Sequence, residues 1–468
     1  MQTPSDSLPP EIVLTEYEAP TDRESSRVLF GLSDHLGPYL QRGWLTRAFE
    51  NGEPCIKASH YVGLLPYVHE ATPHLLLITP KGSGANPDLG LLRFLELIAL
   101  ASGDEEFEAP TGLEGRKGTS RFVLFLAAYY GQLLQQLCRG DFRSYYRDEQ
   151  GELRSRVRGR LHLQGYARNC LRGQSHRLPC RWEEFTPDNW DNRILWAAAR
   201  GLQRAAQCLD TEAFNSVRRC FSPVISWFEP VSEEPVTSSD FHRARLGRIS
   251  PYYRRALLWA RMIIQGTDLP TAGGSTPPLA FNAHATFEHF AEAVTRSAMP
   301  TPAFRPMFQE PYPFLTGPQD QKHKSDIIIL SSDGIHAVGD AKYKEVIESI
   351  PAEQTASLPE VVHSAIRSPD WNQLYVHMRL TGASRGFFIV PFWEKEGETS
   401  VLIAGYEFAK SPLDGPVRVA VLGLNLMQPI RVVKQDAARH LKDWLQEERW
   451  AKPTLPASRS GPGVAETV

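Results

Sequence analysis

Residues 324–345 read KSDIIILSSDGIHAVGDAKYKE, and this stretch decides the fold. Ile327 to Leu330 is a strong β run, Ser331 to Gly334 carries turn residues, and Ile335 to Tyr343 is a second strand pattern, so the spacing predicts a β-hairpin. If the pairing is centred on Asp333, Asp326 lies opposite Asp340, and residues paired in an antiparallel ladder point to the same face. Lys342, two residues beyond Asp340, shares that face. A pairing slipped by one residue splits the carboxylates across the two faces, and a two-residue turn at Asp333-Gly334 is equally compatible with the sequence.

Two carboxylates and an ammonium on one face have a chemical use. Cutting a phosphodiester calls for a divalent ion that polarises the phosphate and acidifies the attacking water. Mg²⁺ takes hard oxygen ligands, commonly one or two carboxylates with water and substrate phosphate, and Mn²⁺ accepts the same set. A lysine beside it can position the water or steady developing negative charge. An isolated D…DxK is more often a structural Asp–Lys pair at a sheet end, and the flanking elements decide between the two. Upstream, Phe281 to Ser297 has helical spacing and contains Glu288, a further carboxylate, and a strand pattern precedes Glu310. Downstream, Pro369 to Leu380 reads as a helix bearing Gln373, and Arg385 to Phe392 is an apolar strand containing GFFIVPF.

The rest of the chain sets limits. Its 468 residues are 42% hydrophobic and 22% charged, too long for one core, so several domains are expected. A formal net charge of −3 excludes a protein that coats nucleic acid unaided, though not one with a local basic groove. The six cysteines form no CxxC pair, which argues against a zinc site of usual spacing and fits a reducing cytoplasm. The N-terminus lacks a signal-peptide pattern, and no apolar run is long enough to span a membrane. No GxxxxGK[ST] phosphate loop occurs; Gly112 to Ser120 has the wrong spacing, so any nucleotide-driven motor is a separate chain. We expect an α/β multidomain protein: a mixed α+β N-terminal domain over residues 1–150, a mainly helical middle region over 151–275, a nuclease core over 276–452, and a disordered tail over 453–468. The Gly/Pro/Thr-rich stretch Gly266 to Pro278 marks the boundary before the core. Arg154, Arg156, Arg158 and Arg160 share one face if they form a strand, either as a basic stripe for phosphate or a partner, or as a solvated face.

Helix with Glu288, strands with D…DxK, helix with Gln373, then strand is the order of the PD-(D/E)xK nuclease fold, which this segment resembles. The resemblance extends upstream, to the McrC family, nuclease subunit of McrBC-type modification-dependent restriction systems. It is carried by Leu77 to Lys81 (LITPK), by Arg139 to Tyr146 (RGDFRSYY) leading into Val157 to Leu161 (VRGRL), by Glu183 to Leu195 (EEFTPDNWDNRIL), and by Tyr252 to Arg261. It departs from the family in the lead-in Asn282 to Thr286 before Phe287-Glu288, and in His377, where related nucleases often place Tyr four residues after Gln.

The resemblance implies a DNA endonuclease with Asp326, Asp340, Lys342, Glu288 and Gln373 as catalytic residues. It implies Mg²⁺, or Mn²⁺, held by Asp326, Asp340, Glu288 and the backbone carbonyl of Ala341. It further implies docking of the N-terminal region on a separate AAA+ GTPase resembling McrB, whose hydrolysis the chain stimulates, and action on double-stranded, modified DNA in the cytoplasm. Lys81 and Arg116, read as exposed-loop residues, are candidates for that stimulation. Two other readings stay open: a non-catalytic activator of a AAA+ NTPase, and a stand-alone repair or recombination nuclease.

Overall fold

A computed structural model of the chain describes residues 12–20, 23–50, 52–69, 72–83, 86–108, 118–243, 250–267, 278–299, 301–315, 321–332, 334–343, 366–393, 399–408 and 417–446. The expected tail, most of the Gly266–Pro278 linker, Arg116 and Asp333 lie outside these residues. Contacts divide the chain into two units, Met1–Thr79 with Glu108–Phe281, and Pro80–Phe107 with Asn282–Val468. The division differs from the expected 1–150, 151–275 and 276–452. The helix Pro87–Ala101 joins the C-terminal residues because it caps and ties them. Glu96 Oε2 accepts the Ile430 N–H at 3.0 Å, and Arg93 Nε donates to the Met427 carbonyl at 3.3 Å.

In the first unit, β1 (Ile12–Thr15) is an edge strand, as its alternation predicts. The stretch Cys55 to Tyr67 belongs to two strands. A hairpin of β2 (Leu45–Glu50) and β3 (Glu53–Ala58) comes first, then β4 (Tyr61–His69), with Ser59 and His60 between β3 and β4. β5 (Thr72–Thr79) lies between β1 and β4, and β9 (Leu279–Asn282) completes the sheet in the order β1-β5-β4-β9. Between β5 and β9 come β6 (Tyr145–Arg154), β7 (Arg160–Leu161) and β8 (Arg177–Thr186), a separate sheet ordered β6-β8-β7. Ser155 takes φ 65°, in the left-handed region, and β6 stops at Arg154. The four alternating arginines therefore form no continuous strand face; they are exposed, and Arg158 reaches Glu184 at 3.4 Å.

Helices of this unit include Gly118–Asp141, Trp190–Ala205, Thr211–Phe221 and Pro251–Thr267, the last three within the residues expected as a helical middle region. The EEFTPDNWDNRIL block proves structural at its polar positions. Asn189 Oδ1 caps its helix by accepting the Asn192 N–H at 3.0 Å, and Arg193 grips Asp188 with two bonds of 2.6 and 2.8 Å. Asn192 is fully buried. Its amide donates to the carbonyls of Arg143 and Pro187, and its oxygen accepts from Tyr253 Oη at 2.8 Å.

The second unit holds a six-stranded sheet. Its strands are β10 (Arg305–Leu315), β11 (Gln321–Ser331), β12 (Gly334–Ala341), β13 (Arg385–Phe392), β14 (Val401–Phe408) and β15 (Val417–Asn425), in the order β10-β11-β12-β13-β15-β14. β12, β13 and β15 run parallel at its centre, where apolar runs such as Gly386–Phe392 are buried on both faces. Leu374 and Met378 of the helix Ser368–Thr381 pack with Val338, Phe388 and Val421 on one face. Phe387, whose side chain points the other way, meets Trp444 of the helix Ile430–Gln446 edge-on. Gly339 accommodates that second layer, since a Cβ there would stand 2.2 Å from the Phe387 ring.

Candidate active site

The hairpin register settles the alternatives left open by the sequence. At the turn, Ser331 pairs with Gly334 and Leu330 with Ile335. Continued along the ladder, that register would set Asp326 opposite Gly339 and split the carboxylates. It is not continued: a bulge between Ile329 and Leu330 leaves His336 as the extra residue, and Ile329 pairs with Ala337, Ile328 with Val338, Ile327 with Gly339. The next position sets Asp326 against Asp340, which is the register centred on Asp333. Asp340 then lies on the same face of β12 as Val338, the face covered by the helix Ser368–Thr381, and Lys342 follows on that face.

Distances confirm the grouping. Lys342 Nζ is 2.9 Å from Asp340 Oδ2 and donates to Gln373 Oε1 at 3.2 Å. Asp326 Oδ2 accepts the Ala341 N–H at 3.2 Å. The helix carrying Gln373 is set by its ends: Pro369 begins it, Asp370 accepts the Arg367 N–H at 3.0 Å, and Gly382 ends it at φ 72°. Glu288 stands on the helix Ala283–Ser297, capped by Asn282, within electrostatic range of Asp326 and Lys342. His377, four residues after Gln373, is 1% exposed.

The electrostatics are those of a site short of positive charge. Asp340 is 1% exposed, and neither of its carboxylate oxygens accepts a hydrogen bond of sound geometry. Its contact with Lys342 is an ion pair off the hydrogen-bonding direction. Burial, and then the Asp326 charge, push the Asp340 carboxyl up to about 7, with Lys342 only partly offsetting them. Burial and Asp326 likewise raise Glu288 above the usual carboxylate range. Burial would lower Lys342, but Asp340, Asp326 and Asp370 outweigh it, so the ammonium is held above its ordinary value.

The described residues contain no cluster of three His, Cys, Asp or Glu side chains poised to hold a metal. The donor set fits a hard cation that needs one or two carboxylates and completes its shell with backbone oxygen, water and substrate phosphate. A buried carboxylate beside a second carboxylate, with one ammonium only partly offsetting them, is where such an ion relieves the largest repulsion.

One residue here escaped the sequence reading, and another sits otherwise than expected. Gln309, on β10, donates its Nε2 to Asp326 Oδ1 at 3.3 Å; nothing in its local sequence marks it, and only the β10–β11 register reveals it. Lys81, expected in an exposed loop, is 5% exposed. Its ammonium lies 4.0 Å from the centre of the Tyr343 ring and 5.1 Å from that of Trp393, and it donates to the Tyr343 carbonyl at 3.5 Å, next to Lys342. A lysine after Thr-Pro reads as a solvated turn until the aromatic rings that cover it are in place.

Among the described residues, no helix is long and apolar enough to cross a membrane. The chain is similar to solved structures from Thermococcus gammatolerans. One is a half-complex refined from a tetradecameric assembly of McrB AAA+ hexamers with bound McrC, with 19% identity and a TM-score of 0.55, covering 93% of this chain and 100% of that one. Another is a cryo-EM structure of the McrBC complex, with 18% identity and a TM-score of 0.42, covering 62% and 88%. No curated protein matches. The profile described as "McrBC 5-methylcytosine restriction system component" matches residues 56–386, well over half the chain. The resemblance seen in RGDFRSYY, EEFTPDNWDNRIL and GDAKYK is thus one of descent, and the chain belongs to the McrBC restriction-system family.

Proposed function

We propose that this chain is the endonuclease subunit of a restriction complex and hydrolyses phosphodiesters of modified duplex DNA at Asp326, Asp340 and Lys342, with a PD-(D/E)xK core. The carrying observation is Asp340: buried, with the Lys342 ammonium as its counter-charge and beside Asp326 in the hairpin register. Asp326, Asp340 and the Ala341 carbonyl would hold Mg²⁺, or Mn²⁺, with Glu288 behind them. A strand residue presents its N–H and C=O on the same edge, and Ala341 already directs its N–H to Asp326. The bound ion would supply Lewis acidity toward the phosphate and a more acidic attacking water.

The chain's own groups divide the remaining work. Lys342 keeps its proton at neutral pH, so it is not a general base; it donates to developing negative charge or orients the water. Gln373 fixes the direction of that ammonium through its 3.2 Å bond. Glu288, its carboxyl raised by burial and by Asp326, is the candidate general base.

A separate chain would supply the motor. The similar Thermococcus gammatolerans assembly contains McrB AAA+ hexamers with bound McrC, and we carry that arrangement over: a McrB-like AAA+ GTPase docks here and is stimulated. Residues 1–150 were the expected docking region; apart from Pro80–Phe107, which belongs to the second unit, they share a unit with the residues up to Phe281. The first unit as a whole is therefore the docking candidate. The free cysteines agree with a cytoplasmic setting. Reconstituted with its motor, Asp340→Ala should lose metal-dependent cleavage and keep stimulation of nucleotide hydrolysis. Cleavage at the wild-type rate would overturn the assignment and favour a non-catalytic activator.

A further inference from the structure

Gln309 carries an unusual backbone at an informative place. Its φ is 55°, in the left-handed region, inside the strand β10. Gly, Asn and Asp visit that region readily; a glutamine there is strained. The distortion is local. Phe308 pairs with Ile327 and Glu310 with Ser325, while between them the pairing of Gln309 with Asp326 is missing from the ladder. What replaces it is a side-chain bond, Gln309 Nε2 to Asp326 Oδ1 at 3.3 Å.

Asp326 is therefore held from two strands, Oδ1 by the Gln309 amide and Oδ2 by the Ala341 N–H. Asp340, its partner across the hairpin, has neither restraint. A carboxylate fixed at both oxygens cannot swing away from its neighbour's negative charge. Backbone strain that persists beside such a group points to a positioning device rather than to a defect of the sheet.

We propose that Gln309 is a positioning residue of the metal centre, its strained backbone aiming an amide that locks Asp326 in the orientation a divalent cation requires. The inference rests on the metal-centre reading above and adds a residue to it. Two substitutions of the full chain separate amide from backbone. Gln309→Met keeps length and strain but removes the donor; Gln309→Gly removes the donor and also accommodates the positive φ. Titrated with Mn²⁺ alone and followed by calorimetry, both variants should bind about tenfold more weakly than wild type, the loss expected for one hydrogen bond to a charged group.

Melting in chelator provides the second readout, in which Gln309→Gly should be at least as stable as Gln309→Met. Variants that bind Mn²⁺ as tightly as wild type would overturn this inference while leaving the centre intact. A wild-type chain that takes up no Mn²⁺ would overturn the centre and this inference together.

Discussion

Asp340→Asn should stabilise the metal-free protein at alkaline pH, an unusual direction for a substitution at a buried site. Asp340 rises from its ordinary 3.8 to about 7 in the fold, chiefly through burial and then through Asp326. The folded state thus binds this proton more tightly than the unfolded chain. Its contribution to stability is fully present below about pH 4 and is lost as pH rises through about 7. A shift of roughly three units at about 1.4 kcal/mol each sets an upper bound near 4 kcal/mol on the cost of the ionised carboxylate. Asparagine removes that cost but also deprives the half-buried Lys342 of its nearest counter-charge, so a net gain of about 2 kcal/mol is the working figure. The assay is thermal melting in chelator at about pH 5 and about pH 8. The variant should melt higher than wild type at the alkaline end, with the gap narrowing toward acid. Adding Mn²⁺ should reverse the order, since only wild type keeps the ligand and gains binding free energy. A variant less stable than wild type in chelator at alkaline pH, or equal stabilisation of both by Mn²⁺, would refute the reasoning.

Other expectations rest on single contacts. Gly339→Ala drives a methyl into the Phe387 ring and should cost about 1–3 kcal/mol of stability, read by denaturant unfolding, with weakened Mn²⁺ uptake because Asp340 is the next residue. Asn192→Ala takes from Tyr253 Oη the acceptor of its proton and from the Arg143 and Pro187 carbonyls one of their donors, and should destabilise by about 1–3 kcal/mol without altering Mn²⁺ affinity. Lys342→Met removes a donor rather than a ligand. Mn²⁺ binding should persist while the cleavage rate of the reconstituted complex falls about 10²–10³-fold.

The hairpin of the candidate site was legible because its pattern is local. Asp326, Asp340 and Lys342 lie within one supersecondary unit whose period-two pattern can be counted. Even there the sequence left the register open, and the resolution came from a bulge at His336 that strand propensity does not encode. Helices with caps or turn signals, such as Pro369 to Leu380 beginning in Ser-Pro-Asp, were read nearly to their ends. Membership of the second unit was not. The helix Pro87–Ala101 is tied to the helix Ile430–Gln446 through Glu96, a contact more than three hundred residues apart in sequence that nothing local announces. The same holds for Gln309, whose role depends on a neighbouring strand, and for Lys81, whose burial depends on Tyr343 and Trp393. Residues that act through their own strand or helix are visible in a sequence; those that act across a non-local pairing are visible only in the fold.

The central claim is that the hairpin holds a divalent cation, and a crystal soaked in Mn²⁺ tests it most directly. Anomalous scattering should show manganese within about 2.0–2.6 Å of Asp340, Asp326 and the Ala341 carbonyl, the range of hard cation–oxygen bonds. The peak should vanish in Asp340→Asn. Manganese bound elsewhere with this site empty, or a peak unchanged in Asp340→Asn, would contradict the account.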